Sequence, residues 1–311
     1  MLVQESFDLK YKKYTELISN DFAILDNILL DLIQKNYTPL NENFSKYLFS
    51  TSKRIRSTLI FLMAKAINNF ITEKQYQTAA SIELIHNATL IHDDIIDEST
   101  TRRKQKTLHT IFSTKLAVIA GDFLFALGFQ NLTQNSNSNN FGIYSEMLKT
   151  LCQGEIEQYF QKGEIITIEE YIKKSAYKTS ALFKAGLSGA FFDYPQEHKK
   201  AIENFADNFG IAFQIRNDLL NFFNPETNNN LLEDIKNGTY TAPVIYALKE
   251  HPNLLSEDDI MNSILRTGAF EKTKELLQTY IKLSVDNLSF ISDNIYKEAL
   301  VGICKTLGDF R

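Results

Sequence analysis

Apolar residues recur three and four positions apart along almost the whole chain, over residues 5–35, 56–70, 74–97, 112–132, 141–161, 168–191, 198–223, 240–250, 268–286 and 290–306. That spacing gathers them on one face of an α-helix, whereas the two-residue alternation that a half-buried strand needs is nearly absent. Little interrupts the pattern. Only 5 Pro and 12 Gly occur in 311 residues, and turn signals such as Pro195 and Asn237-Gly238 fall between the periodic stretches. The sequence predicts an all-α fold, a single large bundle of about ten or more helices. With 44% hydrophobic residues and no break in composition, residues 1–311 read as one domain with a large core.

Charge narrows the possible partners. A net charge of -5 without a basic tract leaves no electrostatic footprint for nucleic acid. The two cysteines, Cys152 and Cys304, read as buried free thiols rather than a disulfide, and with no signal peptide in view this points to a cytoplasmic protein. The longest apolar runs, 59–67 and 116–129, fall short of the roughly 20 residues of a bilayer span, and the second carries Asp122. No transmembrane segment is expected.

The chemistry is concentrated in residues 90–103, "LIHDDIIDESTTRR". Asp93 and Asp97, four apart, share a helix face; His86 lies seven residues before Asp93 on the same stripe, and Asp94 is turned about 100° away. Such crowding of carboxylates asks for positive charge. The mainly apolar run before them marks the end of a buried helix opening on a cavity, which favours a hard cation such as Mg²⁺ holding a substrate phosphate. Arg102 and Arg103 follow at once, and Lys53 and Arg56, three apart, stand at the start of another helix. Guanidinium groups and a helix N-terminus both suit phosphate oxygens. Two anionic groups are implied, one held through metal and one held directly. A second polar cluster, Gln214, Asn217, Asp218 and Asn221 in "FQIRNDLLNFF", looks like a metal site with two carboxylates neutralised.

These segments together resemble the trans-type polyprenyl diphosphate synthases. The DDxxDxxxxRR motif of that family is present as Asp93, Asp94, Asp97, Arg102 and Arg103; its GKRxR segment is matched by Lys53, Arg54 and Arg56, with Ser52 where Gly is usual; its Lys-Thr pair is Lys178 and Thr179, and its FQ is Phe213 and Gln214. The resemblance implies a helical bundle around a central cavity, two to three Mg²⁺ ions, and a homodimer. It implies that isopentenyl diphosphate, bound by Lys53, Arg56, His86 and Arg103, is joined to an allylic diphosphate, with farnesyl diphosphate as the expected primer. Asp93, Asp94, Asp97, Asn217 and Asp218 are then the metal residues, Arg102 and Lys178 neutralise the allylic diphosphate, and Thr179 and Gln214 steady the carbocation. In this family the side chains a helical turn before the first motif set product length. Here they are the small Ala88 and Thr89, which implies a long product, roughly octaprenyl, of the kind used as a quinone side chain.

The second motif departs from the pattern. Its DDxxD reads Asn217, Asp218 and Asn221, and two lysine positions hold Asn229 and Thr239, so two negative and two positive charges are missing together. Two other readings stay open: a non-catalytic or regulatory subunit of a heteromeric synthase, and a terpene cyclase of the same fold. A cyclase would need a hydroxyl at position 221 and a carboxylate at 225, where this chain has Asn221 and Pro225.

Overall fold

The computed structural model describes residues 2–36, 38–49, 53–103, 105–135, 140–222, 232, 235–256 and 260–310; Ser52, Pro225, Asn229, residue 223 and residues 136–139 of the sequence reading lie outside the described residues. The chain is all-α. Its helices are α1 (Leu2–Thr15), α2 (Ser19–Lys35), α3 (Asn41–Phe49), α4 (Ile55–Asn68), α5 (Glu73–Ile96), α6 (Leu108–Ile111), α7 (Thr114–Asn135), α8 (Phe141–Phe160), α9 (Ile168–Ser175), α10 (Ala181–Ala190), α11 (Gln196–Leu220), α12 (Ala242–Glu250), α13 (Ile260–Arg266), α14 (Ala269–Asp286) and α15 (Ile295–Thr306). A short antiparallel pair, β1 (Thr101–Arg102) with β2 (Gln105–Lys106), hangs between α5 and α6.

Most of the sequence-read helices are present, with four differences. The stretch 5–35 is broken by a 3₁₀ turn at Glu16–Ile18, and 168–191 by a π turn at Ala176–Ser180. Helices α3, α6 and α13 and the hairpin lie where no periodicity is read; α3 buries only Phe44 and Leu48, too short a pattern to stand out. Cys304 is buried as expected, but Cys152 is exposed on the outer face of α8, and both are free thiols. Helix α7 is longer than the apolar run that signals it, and by length and composition alone it could cross a membrane. Its inner face is instead tailored to a neighbouring helix.

Helix α5 is the spine. A capping box starts it, with the Thr72 side chain accepting from the Gln75 amide and the Gln75 side chain accepting from the Thr72 amide. It packs most extensively on α7, where Gly121 and Gly128 remove the side chains that would keep the two backbones apart. A Cβ on Gly121 would meet the His92 ring at 2.2 Å, and one on Gly128 would meet Ile85 at 2.9 Å. Helix α4 is buried from Ser57 through Ala64 and seals the other side of α5; each such Leu or Phe taken out of water contributes about 1.5–3 kcal/mol. Helix α11 lies against α10, the π turn and α14. At the far end α1 closes on α15, with Gly302 fitting beneath the Tyr14 ring.

Candidate active site

The α5 spine ends at its acidic turn. The Asp97 amide donates to the Asp93 carbonyl at 2.8 Å, and Glu98 then takes a left-handed φ of 51°, which reverses the chain into the hairpin. Arg103 follows β1 with φ 50°. A left-handed conformation costs a residue other than Gly roughly 1–2 kcal/mol, and the neighbouring contacts must hold it. They are ionic. Asp94, 1% exposed, accepts from Arg102 Nε at 2.5 Å, with Tyr47 on its other oxygen, and so pins the hairpin to the helix end.

Asp93 and Asp97 face the other way, toward α8 and the π turn. Burial raises the Asp93 carboxyl to about 6; Lys178 opposes the shift, while Glu155 and Asp97 add to it. Lys178 Nζ lies 2.8 Å from Glu155 Oε1. Burial works against the lysine charge, yet Glu155 and Asp93 outweigh it and hold Lys178 above its ordinary pKa. Glu155 is a site residue that sequence reasoning missed. The signal lies in Gln153-Gly154-Glu155: a Cβ on Gly154 would stand 3.1 Å from Tyr177, so this glycine lets α8 and the π turn approach.

The π turn also sets the direction of Thr179. Its hydroxyl donates to Gln214 Oε1 at 2.7 Å, Gln214 Nε2 donates to Asp218 Oδ1 at 2.9 Å, and the Tyr171 hydroxyl donates to Asp218 Oδ2 at 2.5 Å. Burial, followed by the Asp218 charge, pushes the Tyr171 pKa well above its usual value, so the phenol keeps its proton. Asp218, 4% exposed, is thereby committed to holding Gln214. Asn217 is half-buried on the adjoining face of α11.

A separate cationic group borders the hairpin. Arg56 and Arg103 flank buried Glu83, which accepts from Ser57 at 2.6 Å, and His86 lies beside the same two arginines. Burial, then the charges of Arg56, Arg103 and Arg102, drive His86 well below its ordinary pKa, so it is neutral at pH 7. Glu83 was not foreseen either, since a lone acid in an apolar helix carries no spacing signal. Lys53 points elsewhere, to Asp8 of α1 at 2.5 Å. Arg54, the middle residue of its motif, pairs with Asp26 of α2. Ala88 is fully buried, and the Thr89 hydroxyl is turned back onto the His86 carbonyl at 2.7 Å.

The donor set can be tested against a metal ion. Among the described residues no three His, Cys, Asp or Glu side chains converge on one point, because Asp94 serves Arg102 and Asp218 serves Tyr171 and Gln214. Asp93 and Asp97 remain, hard oxygen donors one helical turn apart and carrying surplus negative charge. Two carboxylates completed by substrate phosphates is the usual Mg²⁺ arrangement, so the residues fit that ion.

A helical bundle with this acidic helix end, set beside a cationic group, defines a diphosphate-handling isoprenoid enzyme fold. Residues 38–282 match the polyprenyl synthetase family, and the chain belongs to that family. It is an enzyme that transfers prenyl groups. It is 34% identical to a prenyl transferase of Cyanophora paradoxa, over 93% of this chain and 97% of that one. It is also 30% identical to the chloroplastic solanesyl diphosphate synthase 2 of Arabidopsis thaliana, over 92% of this chain and 73% of that protein. The crystal structure of heptaprenyl diphosphate synthase from Staphylococcus aureus superposes with a TM-score of 0.86 at 25% identity, covering 94% of this chain and 98% of that one.

Proposed function

We propose that the protein joins isopentenyl diphosphate to an allylic diphosphate, with farnesyl diphosphate as primer, in successive head-to-tail trans additions that build a long-chain polyprenyl diphosphate for a quinone side chain. One observation carries the reading: Asp93 and Asp97 face Lys178 at one end of α5, apart from the Arg56, His86 and Arg103 group. Each substrate brings a diphosphate, and each charge group suits one of them.

Asp93 and Asp97 would hold Mg²⁺, which would draw charge from the leaving diphosphate. Lys178 neutralises the same group as the carbon-oxygen bond breaks and the electron pair leaves with oxygen. The Thr179 hydroxyl donates its hydrogen bond to Gln214, so its oxygen lone pairs are left to face the allylic cation. The double bond of isopentenyl diphosphate, anchored through Arg56, Arg103 and Lys53, attacks that cation to form the new carbon-carbon bond. Neutral His86 can offer a hydrogen bond there without adding charge. The released diphosphate then takes the proton, and no side-chain nucleophile is needed. Of the two to three ions the family resemblance implies, the last is held most weakly, because Asn217 and Asn221 bring carbonyl oxygens and no charge.

Small Ala88 and Thr89 support a long product, as do the names of the relatives above. Ala88→Phe should shorten it. Exposed Val118 and Ile119 on α7, at 41% and 62%, support a homodimer of this chain in which α7 is covered by its own kind. The decisive experiment incubates the purified protein with Mg²⁺, labelled isopentenyl diphosphate and farnesyl diphosphate and resolves the products by length. No elongation at any Mg²⁺ concentration would sink the proposal and leave the non-catalytic subunit.

A further inference from the structure

Helix α11 carries one residue that the mechanism above does not use. Arg216 is 2% exposed, and its Nε and Nη2 atoms are buried with no hydrogen-bond partner among the described residues. A guanidinium removed from water normally ends in an ion pair or on carbonyl oxygens, because an unpaired buried charge costs several kcal/mol. Here the described carboxylates stop short of it. Asp8 is bound to Lys53 at 2.5 Å and Asp309 to Lys10 at 2.6 Å, so both acids near Arg216 already serve lysines.

The surroundings say what is missing. Arg216 lies over the Phe7 ring at 4.1 Å, and Lys53 lies over the same ring at 4.6 Å. One turn back on α11, Phe213 packs on Phe183 at 5.9 Å, and Arg56 sits over Phe183 at 4.7 Å. An arc of three cations, Arg56, Arg216 and Lys53, thus borders Phe213 and the rings beside it, with orphaned donors on both arginines. An aromatic platform keeps a guanidinium positioned without neutralising it. Such an arc suits a multiply charged anion with several oxygens.

We infer that Arg216 is a further ligand of the isopentenyl diphosphate, binding its diphosphate together with Lys53, while Asp8 is the counter-charge that holds Lys53 when that substrate is away. The inference rests on the proposed function above. Binding carries a signature that a structural role does not share: removing an unpaired charge leaves the empty protein at least as stable, whereas removing a structural arginine unfolds it.

Arg216→Met keeps the length that fills the space over Phe7 and deletes the charge. It should raise KM for isopentenyl diphosphate by about tenfold or more, the weight of one lost charged hydrogen bond. Its KM for farnesyl diphosphate and its kcat should stay within about threefold, and the melting temperature of the substrate-free protein should not fall. Arg216→Lys should recover part of the loss. Asp8→Asn acts in the opposite sense and should lower KM for isopentenyl diphosphate. Equal changes in both KM values, an unchanged KM for isopentenyl diphosphate, or a lowered melting temperature with both KM values intact would overturn the assignment. Thermal stabilisation by isopentenyl diphosphate without Mg²⁺ reads the same contact without turnover: it should shrink in Arg216→Met. A wild-type protein that is stabilised but never elongates a primer would fail the proposed function while leaving the Arg216 contact standing.

Discussion

The two acidic segments of this chain, at the ends of α5 and of α11, look alike in sequence and behave differently in the fold. At the α5 end Asp93 and Asp97 are crowded and under-compensated, and burial with neighbouring acids holds Asp93 near 6. At the α11 end the one acid of the motif, Asp218, is satisfied by Tyr171 and Gln214. One segment stores unsatisfied charge for a ligand to neutralise. The other is closed on itself and acts as a bracket for Gln214. Metal affinity should therefore come chiefly from α5 and geometric precision chiefly from α11.

Breaking the α5 side should have the largest effect. Asp93→Ala removes one of two carboxylates and is expected to lower kcat by about 10³-fold or more, on the scale of losing a principal electrostatic contact to the leaving group; steady-state rates at saturating Mg²⁺ measure it. Restoring charge in α11 comes next. Asn217→Asp with Asn221→Asp should lower the Mg²⁺ concentration for half-maximal rate by about tenfold, since one ionic contact near 4 Å is worth up to about 4 kcal/mol before desolvation. An unchanged Mg²⁺ dependence would mean that these positions do not touch metal.

Loosening the bracket is subtler. Tyr171→Phe removes a hydrogen bond to a buried carboxylate and should cost about 1.5–3 kcal/mol of stability, read by denaturant unfolding, with a several-fold drop in kcat as Gln214 loses its orientation. The smallest effect is on pH dependence. His86 is a base whose pKa is depressed in the fold, so the unfolded chain binds its proton first, and the stability this group contributes is lost as pH falls below its ordinary 6.5. His86→Gln should flatten unfolding free energy against pH just below 6.5, where the native protein slopes downward on acidification.

What could be read from sequence was what depends on local spacing. Asp93 and Asp97 share a helix face by arithmetic, and Lys53, Arg56, Arg102 and Arg103 declare their charge wherever they stand. Three facts were out of reach because they depend on which helices meet. Glu155 finds Lys178 from α8, Glu83 gathers cations from α4 and the hairpin, and Asp218 is claimed by Tyr171 of α9. The family resemblance placed Asp94 and Asp218 among the metal residues, and no spacing could show that Asp94 accepts from Arg102, eight residues on, or that Asp218 accepts from Tyr171, 47 residues back. The hairpin was missed because two-residue strands leave no alternation to see.

The π turn at Ala176–Ser180 has a consequence for how this chain can vary. Such a turn holds one residue more than the α-helical turn it replaces. Deleting that residue would restore regular winding and rotate α9 by about 100° relative to α10, pulling Tyr171 from Asp218 and Lys178 from Glu155 in one event. Ser180 is fully buried against Gly210, so neither a larger side chain there nor a change in length can be absorbed. The spacing from Tyr171 to Thr179 should therefore stay the same in every related chain that is active.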